Sequence, residues 1–553
     1  MAISENGTSL RRKVRLRSPL APDQLGRLTL WGAPVLLGLV LFCVYLSGLH
    51  PGVDAGDSAE LQYSCPLLGI CHPPGYQIEV TVGRLFCMLP IGSSIAWRLN
   101  LLMAICGVVG CLALYGSVLQ ITGRIVPAIC AAGILGFSTI FWSHCLVAEA
   151  YVFYATFLLL GMYTAVRLVQ ENQRSWLYLS ALLVGISVGD RPSELCIVPA
   201  FLLLWFAFRK RVRVAWKHAL VALALFLLPF AFSVGCYLIR NDPAKLGVRD
   251  DALRDEIIVD TSAEISRGYG PGASAFHKVQ HAAAYCLGLV WIEKSGFTAE
   301  GVSRTLDSYT WLLSGLGAVV GRSRLDRPVT GGRGGASIGL LGLLLAIAGT
   351  VVSQRRLGWV LFGWGLFAGN LLFILWHHAW DNLTFTIPGL AGLALLAGLG
   401  IAGAWERTGR GGWLALWRAG ALAAPLFLLL SNYALVARNG PQDNESLHWG
   451  RNVAAAPWPE RSVILCSYWP ATTLRYLLYL EAKRTDACVI CASETNWDRL
   501  IRHFEGLGRP VFVFSDTQSG LEGRTLPGGR AGPPDSTPPP LARLGFARAF
   551  PRR

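Results

Sequence analysis

Long apolar segments separated by short polar turns run along most of the chain. A helix needs about 20 apolar residues to cross a bilayer, and the pattern predicts about eleven such helices. Backbone polar groups in a bilayer must be satisfied within the helix, so we predict a mainly α, polytopic helical membrane protein. The expected spans are Leu28–Leu49, Ile95–Ile121, Ile125–Trp142, Tyr151–Val169, Trp176–Val188, Leu195–Phe208, Val214–Ile239, Ala336–Val352, Trp359–Trp376, Phe385–Ala404 and Trp413–Val436.

Positive charge falls in alternate turns between these segments. Membrane proteins retain lysine and arginine on the cytoplasmic side, so the basic amino-terminal tail should be cytoplasmic. Counting from there, every even-to-odd turn also carries positive charge, which makes the topology self-consistent. The residues concerned are Arg11, Arg12, Lys13, Arg15 and Arg17 in the tail, then Arg124, Arg174, Arg209, Lys210, Arg211, Arg213, Arg355, Arg356, Arg407 and Arg410.

This topology divides the chain into four parts. Residues 1–27 form a cytoplasmic basic tail, and residues 28–436 form the transmembrane domain, with a first outer loop at 51–94 and a long outer loop at 240–335. Residues 437–518 hold two strand-like runs around a helical stretch, which predicts a small extracytoplasmic α/β domain. Residues 519–553 are rich in Gly, Pro and Arg and are predicted to be disordered.

Composition narrows the classes of function. Of the 553 residues, 53% are hydrophobic and 15% are charged, with a net charge of +15. A soluble protein carries about 25% charged residues. Because much of the basic excess lies between apolar segments, it indicates anchoring at a lipid bilayer, and we expect no nucleic-acid partner.

Acidic residues and histidines collect at the predicted outer ends of the helices. Charged groups near a membrane are costly and usually mark a substrate pathway or an active site. The first outer loop carries Gly-Asp-Ser-Ala-Glu-Leu at 56–61 and His-Pro-Pro-Gly-Tyr at 72–76. The candidate site residues are Asp54, Asp57, Glu60, His72, Arg98, Asn100, His144, Glu149, Arg191, His377 and Asp381.

Several candidates also have a structural interpretation. Asp57 and Glu60 fit a capping box, in which Asp57 caps a helix and Glu60 reaches back to the cap amide. The motif at His72 fits a rigid corner before a helix that starts near Tyr76. Arg98 could snorkel to the membrane surface. These interpretations stay open beside the chemical ones.

The cysteines give little evidence for a disulfide or a metal site. Most of the fourteen lie in apolar segments, where they behave as small hydrophobic side chains. Cys65 and Cys71 share the first outer loop and could pair in an oxidising compartment. Cys488 and Cys491 form a CxxC without a second pair, a weak metal signal. No cofactor is assigned; a divalent metal is compatible with the chemistry, but the sequence offers no committed set of ligands.

The order of the motifs resembles a family of GT-C membrane glycosyltransferases that includes a vertebrate protein O-mannosyltransferase. Members typically read GDSGEL and then HPPGYP, and the corresponding residues here are 56–61 and 72–77. The resemblance is most specific over residues 54–154. Further matching residues are Trp97, Arg98, Leu99, Asn100, Phe141, Trp142, Ser143, Ala148, Glu149, Ala150, Tyr151, Asp381, Asn382, Pro388, Tyr476, Leu477, Leu478, Tyr479, Leu480, Glu481, Arg484 and Asp486.

Three departures from the family pattern stand out. Ala59 replaces a Gly, and Gln77 replaces the final Pro of the second motif. Asp190 and Arg191 stand where an Asn-His-like pair is expected. The last departure leaves the donor contacts and the identity of the sugar open.

The resemblance implies a GT-C fold and a polyprenyl-phosphate-linked sugar donor presented from the outer leaflet. By motif, Asp57 is the expected catalytic base, with Glu60 and Asp54 as supporting or competing carboxylates. Because phosphate is already a good leaving group, the site needs cations to stabilise it, and Arg98, Arg191 and His72 are candidates. We expect inverting transfer of a mannose-like hexose to a hydroxyl of a protein, glycan or lipid acceptor.

Two other classes of function remain. A transporter or flippase of lipid-linked precursors would use the same charges along a pathway, but they gather at one face and no inverted repeat is evident. A non-catalytic scaffold leaves the first-loop motifs unexplained. For location, we expect a bacterial inner membrane rather than the endoplasmic reticulum; Asn444-Glu445-Ser446 would be a glycosylation sequon in the latter.

Overall fold

The computed structural model describes residues 24–241, 273–289, 295–298, 302–303, 339–353, 356–377, 384–406, 412–436, 445–484, 486–492, 494–514, 530–531 and 546–550. The basic tail before residue 24 and most of the long outer loop lie outside these ranges. So do the predicted residues Arg355, Asp381, Asn382, Arg407, Arg410 and Asn444.

Apolar helices occupy every predicted membrane segment. Within the described ranges, six are long and apolar enough to cross a bilayer, and five more apolar helices are shorter. The mainly α, polytopic fold is therefore confirmed. The helices of this part are α1 (Gln24–Gly48), α2 (Asp57–Leu67), α3 (Gln77–Cys87), α4 (Ile95–Thr122), α5 (Ile125–Gly136), α6 (Thr139–His144), α7 (Ala150–Glu171), α8 (Arg174–Gly189), α9 (Val198–Phe208), α10 (Trp216–Arg240), α11 (Ala275–Cys286), α12 (Gly339–Val352), α13 (Leu357–His377), α14 (Ile387–Glu406) and α15 (Gly412–Val436), with 3-10 turns at Pro192–Ile197 and Thr384–Thr386.

The predicted span Ile125–Trp142 contains two helices where the sequence predicts one. The chain leaves the helix after Gly136, and α6 restarts it at Thr139 as a separate short helix. The backbone of Ser138 is extended, which interrupts the helix, and the Ser138 hydroxyl donates to the carbonyl of Leu135 at 2.8 Å. This break sets His144 at the end of its own helix, beside the loop that leads into α7.

Helix α14 forms the centre of the membrane domain. Nearly all of its side chains are buried, and its many Gly and Ala residues let α12 and α13 approach closely. Helix α10 has the opposite character, because large apolar side chains such as Leu228 and Phe232 are exposed. Such a surface suits contact with lipid chains. Packing thus separates a central group of helices from a lipid-facing rim.

The carboxy-terminal domain is a sheet with helices on both faces. Strands β1 (Val463–Cys466), β2 (Cys488–Cys491) and β3 (Val511–Phe514) are parallel, with β1 in the middle. The helices of this domain are α16 (Glu445–Ala454), α17 (Tyr468–Arg475), which continues as a π-helical turn at Tyr476–Glu481, and α18 (Glu494–Gly506). The predicted α/β character is confirmed.

The CxxC pair does not form a metal site. Side chains alternate between the two faces of a strand, so an odd spacing sends two residues to opposite sides. Cys488 packs with Trp497 of α18, whereas Cys491 packs with Leu474 of α17. Both side chains are buried, and neither forms a disulfide bond. The CxxC pattern arises because both cysteines occupy buried positions of the same strand.

The prediction of disorder after residue 518 is wrong for two short segments. β4 (Arg530–Ala531) and β5 (Phe546–Phe550) extend the sheet in the order β2-β1-β3-β5-β4. β5 pairs antiparallel with β3, with Val513 opposite Ala547. The Gly- and Pro-rich composition ends before residue 546, and Phe-Ala-Arg-Ala-Phe has the alternating pattern of a strand. The average composition of residues 519–553 does not show this short alternating pattern.

Candidate active site

The first motif places two carboxylates on the first turn of α2. Gly56 precedes the helix with φ of 65°, and no side chain caps it. Glu60, which is 1% exposed, accepts a hydrogen bond from the backbone amide of His72 at 2.9 Å. Its second oxygen lies 2.5 Å from His72 Nδ1. The capping-box interpretation is therefore wrong, because Glu60 binds the second motif instead of the cap.

The second motif forms a corner that carries His72 back to α2. The amide of Gly75 donates to the carbonyl of His72 at 2.8 Å, and α3 begins immediately afterwards at Gln77. Tyr76 Oη lies 3.5 Å from His72 Nε2. The structural interpretation of this motif is confirmed, because the corner places the imidazole of His72 against Glu60.

A residue that sequence reasoning missed joins these groups. Tyr468, the first residue of α17, donates from its hydroxyl to Asp57 Oδ1 at 2.8 Å and to Glu60 Oε2 at 3.0 Å. The same oxygen lies 3.2 Å from His72 Nδ1. Nothing local in the sequence marks Tyr468, since it lies more than 400 residues from Asp57. Only the docking of the carboxy-terminal domain brings it here.

Asp57 is the accessible carboxylate of this group. Its side chain is 34% exposed, against 19% for His72 and 1% for Glu60. Asp57 Oδ2 lies 3.9 Å from His72 Nε2. Because a general base must reach the proton that it removes, Asp57 has the right exposure and Glu60 does not. The buried Glu60 and the partly buried His72 instead form a hydrogen-bonded support behind it.

The candidates Glu149 and His144 lie in the segment just before α7, and Glu149 contacts α2. Ser58 donates to Glu149 Oε1 at 2.9 Å, and Glu149 is buried just before α7. Burial, together with the nearby charge of Asp57, raises the pKa of Glu149 well above its usual value. Burial and the cation of Arg191 lower the pKa of His144 to about 3. At neutral pH the His144 imidazole is therefore uncharged.

Arg191 lies in an aromatic group that holds several predicted residues. Its guanidinium carbon is 3.9 Å from the ring centre of Tyr151 and 5.0 Å from that of Phe385. The His144 ring lies 4.8 Å from Tyr151, and the His377 ring lies 5.1 Å from Phe385. The structure thus brings together three predicted residues from three separate outer turns, around two aromatic rings that the sequence reasoning did not assign to a site.

Arg98 lies elsewhere. It donates from Nε to the carbonyl of Ile91 at 2.6 Å and from Nη1 to the carbonyl of Cys87 at 2.8 Å. Cys87 ends α3, an 11-residue helix about 16 Å long, and the His72 corner precedes the other end. Arg98 therefore satisfies the carboxyl end of α3, far from Asp57.

The side chain of Asn100 forms hydrogen bonds with three separate segments of the chain. Its Oδ1 accepts from Gln62 Nε2 at 2.8 Å and from the amide of Ala148 at 2.9 Å. Its Nδ2 donates to the carbonyls of His50 at 2.8 Å and Gly52 at 3.2 Å. With 0% exposure, Asn100 orders the loop before α2 and the loop before α7.

Asp54 forms hydrogen bonds that stabilise the loop in which it lies. Its Oδ1 accepts from the amide of Ala55 at 2.9 Å, and its backbone amide donates to Gln62 Oε1 at 3.2 Å. These bonds hold the entry to α2. Asp381 lies outside the described residues, so its position adds nothing to the site.

Asp190 has a positioning role that sequence reasoning did not assign. Its two oxygens accept from the amides of Gln77 at 2.8 Å and Ile78 at 2.6 Å, the first two residues of α3. The hydroxyls of Tyr154 at 2.6 Å and Ser233 at 2.8 Å also donate to it. A buried carboxylate thus caps α3 from a distant turn. This fixes the helix that follows the His72 corner.

Metal ligands and a disulfide are not evident in the described part of the chain. Within it, no group of three or more His, Cys, Asp or Glu side chains is arranged to hold a metal ion. Cys65 and Cys71 are both buried, and neither forms a disulfide bond. The pairing that their common loop allowed is not formed.

Gly56 provides a test of how tightly the carboxy-terminal domain sits on this site. A Cβ at Gly56 would lie 2.3 Å from the Trp469 ring, whereas Gly123, with a similar φ of 70°, has nothing within 4 Å. Gly123 lies in the left-handed helical region with ψ of 16°, where alanine costs about 1–2 kcal/mol. Gly56 has ψ of −135°, a conformation that alanine adopts at a higher cost, and Gly56→Ala also displaces Trp469, which costs about 1–3 kcal/mol more.

We expect the melting temperature of Gly56→Ala, measured on purified protein in detergent, to fall clearly below that of Gly123→Ala. Equal melting temperatures would contradict the close packing of Trp469 on the start of α2.

Comparison with known proteins adds independent evidence. Residues 57–214 match the family described as the Protein O-mannosyl-transferase TMEM260 N-terminal domain. The mouse (Mus musculus) Protein O-mannosyl-transferase TMEM260 is 25% identical over 543 residues, which cover 90% of this chain and 68% of the mouse protein. The family resemblance read from the motifs is thereby confirmed.

Two further similarities concern a shorter stretch of sequence and a solved structure. A Dictyostelium discoideum Protein O-mannosyl-transferase tmem260 is 26% identical over 220 residues, 35% of this chain and 27% of that protein. The crystal structure of ArnT from Cupriavidus metallidurans bound to undecaprenyl phosphate is 14% identical, with a TM-score of 0.34, over 88% of this chain and 94% of ArnT.

Proposed function

We propose, because this chain is a relative of the TMEM260-type protein O-mannosyl-transferases, that it transfers a hexose from a lipid-phosphate donor to an acceptor hydroxyl. The observation that carries this proposal is the accessible carboxylate of Asp57, backed by the hydrogen-bonded pair of Glu60 and His72. These residues lie beside helices of membrane-spanning character. A lipid-linked substrate would reach a site in that position without leaving the bilayer.

In the proposed reaction, Asp57 is the general base. The acceptor oxygen forms a bond to the anomeric carbon while the bond from that carbon to the phosphate oxygen breaks. The hydroxyl proton passes to Asp57, and the lipid phosphate leaves with the bonding electron pair. A single displacement of this kind inverts the configuration of the sugar. Because phosphate leaves readily, one carboxylate suffices where glycoside hydrolysis needs two.

Arg191 is the proposed contact for the donor phosphate. Its guanidinium is planar, permanently charged and held against Tyr151 and Phe385. A charge held in a water-poor site stabilises developing phosphate charge strongly. Arg98 is less suited to this role, because it already serves the carbonyls at the end of α3.

A mannose-like hexose and a protein hydroxyl are the proposed substrates, by relationship to the mouse and Dictyostelium proteins. The proposed division of the chain keeps the predicted boundaries, with the transmembrane domain at residues 28–436 and the carboxy-terminal domain at 437–518. We place the site on the extracytoplasmic face, following the charge pattern. The bacterial inner membrane stays a prediction, and both of these relatives come from eukaryotes.

The proposal is tested with the purified full chain in lipid nanodiscs. A panel of polyprenyl-phosphate sugars is offered with peptides that contain serine and threonine, and the product is read by mass spectrometry. Turnover of one donor, with mannose favoured, supports the proposal. Failure of every donor, combined with movement of lipid-linked sugars across liposome membranes, would favour the flippase alternative.

A further inference from the structure

We propose that Tyr468, supplied by the carboxy-terminal α/β domain, is a positioning residue that orients the Asp57 carboxylate toward the acceptor hydroxyl. The inference rests on the proposed function and extends it, because it assigns a part of the reaction to a domain beyond the helices that hold Asp57. The membrane domain would supply the base, Asp57, and the carboxy-terminal domain would supply the hydroxyl that orients it.

The geometry gives the two oxygens of Asp57 different tasks. Tyr468 Oη is 2.8 Å from Oδ1, which occupies that oxygen with a hydrogen bond. Oδ2 is 3.9 Å from His72 Nε2, beyond hydrogen-bond distance. Since the side chain is one-third exposed, Oδ2 is the oxygen that we assign to the acceptor. A hydrogen bond that holds one oxygen of a carboxylate also fixes the direction in which the other oxygen points.

Tyr468 also ties Asp57 to its support. The same hydroxyl lies 3.0 Å from Glu60 Oε2, so Asp57 is linked through Tyr468 to the hydrogen-bonded pair of Glu60 and His72. Burial and the charges of Asp57 and Glu60 raise the pKa of Tyr468 well above its usual value. The phenol therefore keeps its proton at working pH and remains a hydrogen-bond donor.

Other contacts hold Tyr468 rigidly at this point. Trp469 packs on Gly56, directly before Asp57. Arg475 Nη1 donates to Tyr63 Oη at 2.9 Å, and the amide of Ala96 donates to Tyr476 Oη at 3.2 Å. The domain is thus fixed to both α2 and α4. A hydroxyl carried by a docked domain can define an orientation, because its own position is determined by several independent contacts.

The first test replaces Tyr468 by Phe, which removes the hydroxyl and keeps the ring. A hydrogen bond to a charged group accounts for about tenfold to a hundredfold in rate when it orients a reacting group. We expect kcat to fall by that factor while KM for the donor and the acceptor changes little. A purely structural role would instead lower the melting temperature and the amount of active enzyme, which active-site titration with the donor separates.

The matched control is Tyr476→Phe. It also deletes one tyrosine hydroxyl that joins the carboxy-terminal domain to the membrane domain, but at Ala96. If orientation of Asp57 is the role of Tyr468, Tyr476→Phe keeps kcat near that of the wild type. Equal losses in the two variants would overturn the inference and point to domain docking alone. Wild-type kcat in Tyr468→Phe would overturn it while leaving the proposed function standing.

A second measurement does not depend on turnover. A water-soluble carbodiimide with an amine labels accessible carboxyl groups, and peptide mass spectrometry gives the rate at Asp57. Loss of the Tyr468 hydroxyl frees Oδ1, so we expect labelling of Asp57 to be severalfold faster in Tyr468→Phe and unchanged in Tyr476→Phe. The same labelling rate in all three proteins would overturn the contact between Tyr468 and Asp57, whatever the reaction of the chain proves to be.

Discussion

Replacing Asp57 by Asn should reduce sugar transfer by about 10²–10⁴-fold, the usual contribution of a general base. The amide has nearly the same shape as the carboxylate, and its oxygen still accepts the hydrogen bond from Tyr468. What it loses is the ability to take a proton from the acceptor hydroxyl. We therefore expect a folded protein that binds donor and acceptor but does not transfer the sugar at an appreciable rate.

The measurement is the initial rate of peptide glycosylation by Asp57→Asn beside the wild type, each normalised to folded protein. Glu481→Gln is the control, because it makes the same carboxylate-to-amide change at a side chain that is 40% exposed and pairs only loosely with Arg451, at 3.8 Å. The control should keep the wild-type rate. A wild-type rate in Asp57→Asn would end the assignment of Asp57 as the base and direct attention to Asp54 and Glu60, the competing carboxylates of the first outer loop.

Replacing Asp190 by Ala should produce the largest loss of stability among the site variants. Four donors point at this carboxylate: two α3 amides and the hydroxyls of Tyr154 and Ser233. Leaving a buried donor unsatisfied costs about 1–3 kcal/mol. Because the four share one pocket, we expect a total of about 3–5 kcal/mol and a loosened start of α3.

Two variants calibrate this result. Asp190→Asn keeps one acceptor oxygen and should lose roughly half as much stability as Asp190→Ala, since about half of the hydrogen bonds survive. Asp486→Ala removes a partly exposed carboxylate that pairs with Arg484 at 2.7 Å, and should cost less. Melting temperatures in detergent rank the three. If Asp190→Ala melted no lower than Asp486→Ala, the remote cap on α3 would not matter for stability.

The lengths of the apolar segments were enough to predict the membrane helices. Each predicted span corresponds to an apolar helix because the cost of exposing backbone to lipid depends mainly on local composition. The same is true of the strands around Ile464 and Phe512, whose apolar runs are local. The break at Ser138 was missed, because one extended residue changes neither composition nor length.

The sequence also placed Asp57, Glu60 and His72 together, since both motifs lie in one short loop. It could not decide between a capping box and a contact of Glu60 with His72. The two arrangements use the same residues, and only the fold of the loop shows which hydrogen bond forms. Asn100 and Arg98 likewise looked like substrate contacts because polar residues in apolar helices usually mark function, but the structure shows each bound to backbone carbonyls.

By itself, then, the sequence determined the helical membrane architecture, the carboxy-terminal α/β character and the pair of motifs around Asp57. Each of these depends on neighbouring residues and on periodicity. The tertiary structure alone decided that Tyr468 meets Asp57, that Asp190 caps α3 and that Arg191 lies against Tyr151 and Phe385. These contacts join residues far apart in the chain, and their hydrogen bonds and ring contacts exist only after distant elements have packed together.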